Sequence, residues 1–139
     1  HATKAAVEKG VVPGGGVAFL RAIPEVQKAR SKAKDDERIG FDILCGALKA
    51  PTRQIVDNGG GDGDVIVAQL LEKSGTLGFD ASTGEFVDMF KAGIIDPAKV
   101  AQTALQNAAS VAGLMLTTNV LITDLPDNEK DKAEIGAIL

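Results

Sequence analysis

The run Gly14-Gly15-Gly16 stands directly before a helical pattern that starts at Val17. Glycines in that place leave backbone N–H groups bare and let a phosphate or sugar come close to the main chain, where the helix dipole favours an anion. The spacing is not that of a phosphate loop. GxxxxGK[ST] is absent, and Phe19 stands where the last glycine of GxGxxG would be. Two uses stay open, a ligand-facing loop and a tight turn between helices. Asp96-Pro97 is the second candidate: it predicts an N-cap followed by proline at the first helical position. A capping carboxylate can also accept hydrogen bonds from ribose hydroxyls, so both roles fit Asp96.

Other reactive groups carry less. Asn58 to Asp64 sets carboxylates among glycines, but the spacing of an EF-hand loop is absent, and a capped loop explains it. Cys45 falls on the apolar face of its helical pattern and reads as core rather than nucleophile. His1 is terminal, with no partner at metal-ligand spacing, and one histidine cannot complete a Ser/His/Asp set. Met89 and Met115 lie in apolar stretches and read as packing residues. No catalytic residue is therefore assigned.

These groups need elements to position them. Residues 1 to 9 predict a helix stopped at Gly10, and a loop follows through Pro13 and the triple glycine. Val17, Leu20, Arg21 and Ile23 continue with helical spacing to about Pro24. Charge is dense from 28 to 38, with a new helix from Asp35 or Asp36. Apolar residues from Ile39 to Val56 recur at amphipathic spacing, with Pro51 kinking or dividing the helix. Asp64 is expected to cap a short helix. Residues 74 to 84 suit a small hairpin, and Glu85 to Ala92 a short helix stopped by Gly93. The helix after Pro97 is apolar nearly all round from Ala108 to Leu116, which predicts burial. Asn119 to Asp124 reads as a short strand lacking a partner in the chain. The tail from Pro126 is charged until its last few residues and reads as disordered.

The 139 residues, 45% of them hydrophobic, suffice for one packed domain or half of a larger one. The 15 Lys and Arg against 19 Asp and Glu leave a net charge of −4, a poor match for nucleic acid. Five Phe with no Trp or Tyr give little for base stacking. No apolar run reaches the roughly 20 residues of a membrane span. A single cysteine excludes an internal disulfide and a cysteine zinc site. A chain opening inside a helical pattern at His1 suggests a fragment of something longer.

Several strings together are more specific than any alone. Gly10-Val-Val-Pro-Gly-Gly-Gly-Val-Ala resembles the glycine loop of the group I chaperonins, the GroEL family. Ala50-Pro-Thr-Arg-Gln-Ile-Val, Gly78-Phe-Asp-Ala, Ala92-Gly-Ile-Ile-Asp-Pro-Ala-Lys-Val and Ala104-Leu-Gln-Asn-Ala-Ala-Ser-Val-Ala-Gly-Leu-Met-Leu-Thr-Thr follow in that family's order and spacing, and Thr123-Asp-Leu-Pro resembles the end of its core. The resemblance runs from about His1 to Asn128.

It implies a mainly α fold, a helical bundle of the chaperonin equatorial-domain type with a small β-hairpin and a C-terminal strand. Residues 1–125 would be the C-terminal part of that ATP-binding domain and 126–139 a flexible tail. By position, Gly15 would approach the nucleotide, Asp80, Ala81 and Ser82 would lie beside adenine, Ile94 would pack near the base, and Asp96 would contact the ribose. Asp80 stands where the family commonly has Asn, so this side chain accepts but does not donate. Ser82 stands where Ala is frequent. The phosphate loop, the Mg2+ ligand and the catalytic carboxylates of the family match nothing in this chain.

The implied function is a fragment of an ATP-dependent folding chaperone of double-ring form, inactive as an ATPase by itself. The implied partners are ring subunits of the same kind, with the strand Val120 to Asp124 pairing to an adjacent subunit. A co-chaperonin and unfolded polypeptides would be met through other domains, and neither nucleic acid nor membrane is expected. The expected location is the cytoplasm or an organelle matrix. The alternatives are a stand-alone helical assembly module without ATPase activity and a small nucleotide-binding domain using the glycine loop.

Overall fold

The order of elements is built around one short ribbon. Helix α1 (Ala2–Lys9) ends at Gly10, whose φ of 78° is open to glycine at little cost. Strand β1 (Val11–Pro13) then pairs antiparallel with β4 (Ile95–Pro97), placing Val12 opposite Asp96. Pro13 fits because both strands of a two-stranded ribbon are edges, so its missing N–H breaks no inner ladder. The expectation of a plain loop from Gly10 to Gly16 is corrected to that extent. A computed structural model describes residues 1–119 and Ile122, and the chain divides into two units, His1–Thr103 and Ala104–Leu139.

Helix α2 (Val17–Ser31) runs through Pro24, beyond the stop expected there. Its inner face, Val17, Leu20 and Ile23, is buried. Pro51 divides the next helical stretch, since its missing N–H is best accommodated in a first turn. Helix α3 (Asp35–Ala47) precedes it, and α4 (Ala50–Asn58) begins with it. The cap of α5 (Gly63–Leu71) is Asp62, whose Oδ1 accepts from the Val65 N–H at 3.1 Å. Asp64, expected to be the cap, lies in the first turn and pairs with Arg53 Nε at 2.7 Å. Two acidic residues separated by one glycine satisfy the capping pattern about equally, and the backbone bond decides for the earlier one.

The hairpin is larger than expected. Strand β2 (Leu77–Asp80) pairs with β3 (Glu85–Asp88), placing Phe79 opposite Phe86. The two rings meet edge to face at 5.3 Å. The helix expected over Glu85 to Ala92 is therefore replaced in its first half by strand. Gly84 at φ 76° turns the chain back, and the cross-strand aromatic pair outweighs local helix propensity.

Helix α6 (Ala98–Thr117) has no buried residue. The burial expected from Ala108 to Leu116 is not found, and Leu114 and Leu116 are 67% and 88% exposed. All-round apolarity predicts that a partner surface exists but not that the same chain provides it. The strand expected at 120–124 and the tail from 126 lie outside the described residues.

Leu20, Ile23, Leu48, Val67 and Leu70 form the core of the first unit, with half-buried Leu44 and Cys45 against it. Each such burial is worth about 1.5–3 kcal/mol. Cys45 is thus a packing residue, as its helix face predicts.

Candidate functional site

The triple glycine is a folded structure of its own. The Gly14 N–H donates to the Ile94 carbonyl at 2.9 Å, and the Thr52 hydroxyl donates to the Gly15 carbonyl at 3.0 Å. Gly15 and Gly16 have φ of 64° and 78°. A Cβ at Gly15 would stand 2.9 Å from Met89 Cε, and one at Gly16 would stand 2.5 Å from Thr52 Oγ1 and 2.6 Å from the Thr52 nitrogen. Both the turn and the close packing thus require glycine here. Among the described residues, the N–H groups of Gly15 and Gly16 donate to no backbone or side-chain acceptor.

The tip of the β2–β3 hairpin is equally ordered. Asp80 Oδ1 accepts from the Ser82 N–H at 2.9 Å and from the Ser82 hydroxyl at 2.6 Å. Those bonds, the hydroxyl's first, hold the Asp80 carboxyl below the usual carboxylate range. The tip rests on the end of α4, where a Cβ at Gly59 would lie 3.1 Å from the Ala81 carbonyl oxygen.

The loop and the hairpin tip face one open cleft of about 360 Å³. Gly15, Asp80, Ala81 and Ser82 line it, together with apolar Ile55, Phe79, Met89 and Ile94. Five of the six residues singled out in the sequence, Gly15, Asp80, Ala81, Ser82 and Ile94, therefore gather in one place. Asp96 does not line the cleft. It lies in β4 opposite Val12, exposed, and its carboxylate makes no hydrogen bond among the described residues. The expected capping role is corrected: Pro97 belongs to β4 and α6 starts at Ala98, so the strand pairing holds the entry to the helix.

Chemically the cleft offers apolar side chains from Ile55, Phe79, Met89 and Ile94, the main chain at Gly15, and a carboxylate oriented by a hydroxyl at Asp80 and Ser82. That set can hold a flat, partly polar ring beside a hydrogen-bonding group. Among the described residues no group of three or more His, Cys, Asp or Glu gathers to hold a metal. A second cavity, about 290 Å³, lies beside Arg21, Cys45 and Lys49 and contains none of the residues selected from the sequence. No helix among the described residues is long and apolar enough to cross a membrane.

Thr52 also belongs to this site, although it is not among the candidate residues of the sequence. The signal was present: Leu48, Thr52 and Val56 recur every fourth position and are all buried, so a threonine stands on an apolar stripe. Met89 is fully buried, as its apolar stretch predicts, and also lines the cleft.

Comparison with known proteins agrees in one direction. Residues 1–126 match the TCP-1/cpn60 chaperonin family. The chain is 50% identical over 130 residues to chaperonin GroEL 5 of Bradyrhizobium diazoefficiens, covering 94% of this chain and 24% of that protein. Its fold is similar to a group III chaperonin crystallised in the open state, with a TM-score of 0.77 and 36% identity over 85% of this chain and 25% of that one. An open-state monomer of a group II chaperonin from Methanococcoides burtonii gives 0.68 and 27% over 76% of this chain and 27% of that one. The chain spans about a quarter of the length of each of these relatives. The family match over nearly all of its length shows that the chain belongs to the TCP-1/cpn60 chaperonin family.

Proposed function

We propose that this chain is part of a GroEL-like, group I chaperonin subunit, the C-terminal part of its equatorial domain, and that it supplies the nucleoside-facing wall of an ATP site. The observation that carries this is the convergence of Gly15, Asp80, Ala81 and Ser82 on one cleft with Ile94. Ile55 and Ile94 give adenine an apolar contact, and Ala81 leaves room beside it. The Gly15 loop lets the nucleotide approach the main chain. Asp96, exposed and without a hydrogen bond among the described residues, is the acceptor offered to the ribose.

By the resemblance, ATP would bring its phosphates and Mg2+ to family motifs that match nothing in this chain, and the described residues gather no group of three or more His, Cys, Asp or Glu. The metal supplies charge neutralisation at the phosphates when bound. This chain's own residues hold and orient the nucleoside end, so the chain alone hydrolyses no ATP. Ring subunits of the same kind are the proposed partners. The exposed apolar residues of α6 support such a need for covering surface. Co-chaperonin and unfolded polypeptide would engage through other domains, in the cytoplasm or an organelle matrix.

The test is a graft. Residues 1–126 replace the matching segment of the Bradyrhizobium chaperonin, and ATP affinity is measured by calorimetry. The graft should bind ATP, and Ala81→Trp, which fills the cleft, should abolish binding while the fold persists. ATP binding by Ala81→Trp equal to the parent graft would overturn the proposal.

A further inference from the structure

Arg21 lies in α2, whose first turn follows directly on Gly16. Its guanidinium makes no ion pair among the described residues and instead donates to four backbone carbonyls. Nη1 reaches Leu70 at 2.8 Å and Lys73 at 2.9 Å, Nε reaches Gly75 at 3.0 Å, and Nη2 reaches Leu77 at 2.9 Å. Leu70 ends the buried face of α5 and Leu77 begins β2, so one side chain spans the whole connection between them. The carbonyls at a helix C-terminus carry partial negative charge and lack helical partners, which suits a cation. A planar fork of five N–H donors can serve four such oxygens at once, which the ammonium of lysine cannot.

The two ends of this clamp lead to two segments that line the cleft. Behind Arg21 on α2 is the Gly15 loop, and ahead of Leu77 on β2 are Phe79 and Asp80. Strand β2 also lies close on α2, since a Cβ at Gly78 would stand 2.8 Å from Val17 Cγ2. We propose that Arg21 is a positioning residue that sets the separation between Gly15 and the Asp80–Ser82 tip, and through it the affinity of the cleft for the nucleoside. This rests on the nucleotide reading given above. Arg21 touches no ligand itself.

Arg21→Lys keeps the charge and loses the fork; Arg21→Gln provides a neutral second variant. Amide hydrogen exchange is measured in the 139-residue chain, and ATP affinity in the grafted subunit. In Arg21→Lys the β2 and β3 amides should exchange about tenfold faster or more, with α4 amides changing less than about twofold. ATP affinity should fall about fivefold or more, with the melting temperature of the graft nearly kept. Parental protection of β2 and β3 in both variants would overturn the proposal, as would equal loosening of α4 and β2. Selective loosening with parental ATP affinity would reduce Arg21 to a structural clamp. A parent graft that binds no ATP would overturn the nucleotide reading itself, and the exchange data would then report the clamp alone.

Discussion

The buried hydroxyl of Thr52, on α4, donates to the carbonyl of Gly15, on the loop before α2, at 3.0 Å. This bond fixes the orientation of the peptide that follows Gly15, a residue that lines the cleft. Thr52→Val keeps the shape and removes the donor, leaving a half-buried carbonyl unpaired. It should cost about 1 kcal/mol of stability and lower ATP affinity of the graft several-fold, while Thr52→Ser restores both. Thermal melts and calorimetry on the two variants check this.

Gly16→Ala should be worse than Thr52→Val. The left-handed backbone costs a non-glycine residue about 1–2 kcal/mol. The new Cβ would also stand 2.6 Å from the backbone nitrogen of Thr52, which cannot rotate away. A loss above about 2 kcal/mol is expected in a urea melt. Stability within error of the parent would contradict the described loop.

Asp80 ties the hairpin tip to pH. Its carboxyl is held below the ordinary range by the Ser82 hydroxyl and N–H, and Asp88 is held low by the Lys91 N–H, the Thr76 hydroxyl and the Phe90 N–H. Groups depressed in the folded state stabilise it above their unfolded pKa, near about 3.9, and lose that effect as pH falls through the folded value. The hairpin should therefore be insensitive to pH from 7 to about 5 and loosen below about 4. Ser82→Ala should move the Asp80 titration upward, as read from its carboxyl carbon shift.

Much of this architecture is legible in the sequence for a physical reason. Pro51 is favoured in a first helical turn, where its missing N–H costs nothing, and the break between α3 and α4 falls just before it. The triple glycine before Val17 marks a place where the chain must pass close to something, and Thr52 and Met89 are what it passes. The β3 strand is not legible, because Glu85 to Asp88 takes its form from pairing with Leu77 to Asp80 rather than from its own residues. The role of Asp96 is hidden likewise: Asp-Pro before a helix looks like a cap, and only the pairing with Val12 shows that a strand occupies it. The exposure of α6 is illegible in principle, since an apolar helix does not say which chain covers it.

The strand position gives Asp96 a clean test. With no capping bond to lose, Asp96→Ala and Asp96→Asn should both melt within about 0.5 kcal/mol of the parent, as surface changes usually do. If the carboxylate accepts from ribose, Asp96→Ala should lower ATP affinity of the graft about 5- to 150-fold and Asp96→Asn by less. Parental affinity in both would remove Asp96 from the nucleotide site.

The most direct measurement is backbone amide NMR of the grafted subunit's ring-deficient form, or of the 139-residue chain where its affinity allows, during titration with ATP. The account predicts that shifts concentrate at Gly15, Asp80, Ala81, Ser82 and Ile94, around the cleft of about 360 Å³. Shifts centred instead on Arg21, Cys45 and Lys49, around the second cavity, would contradict it. So would a graft that binds ATP while the amides of Asp80, Ala81 and Ser82 stay still.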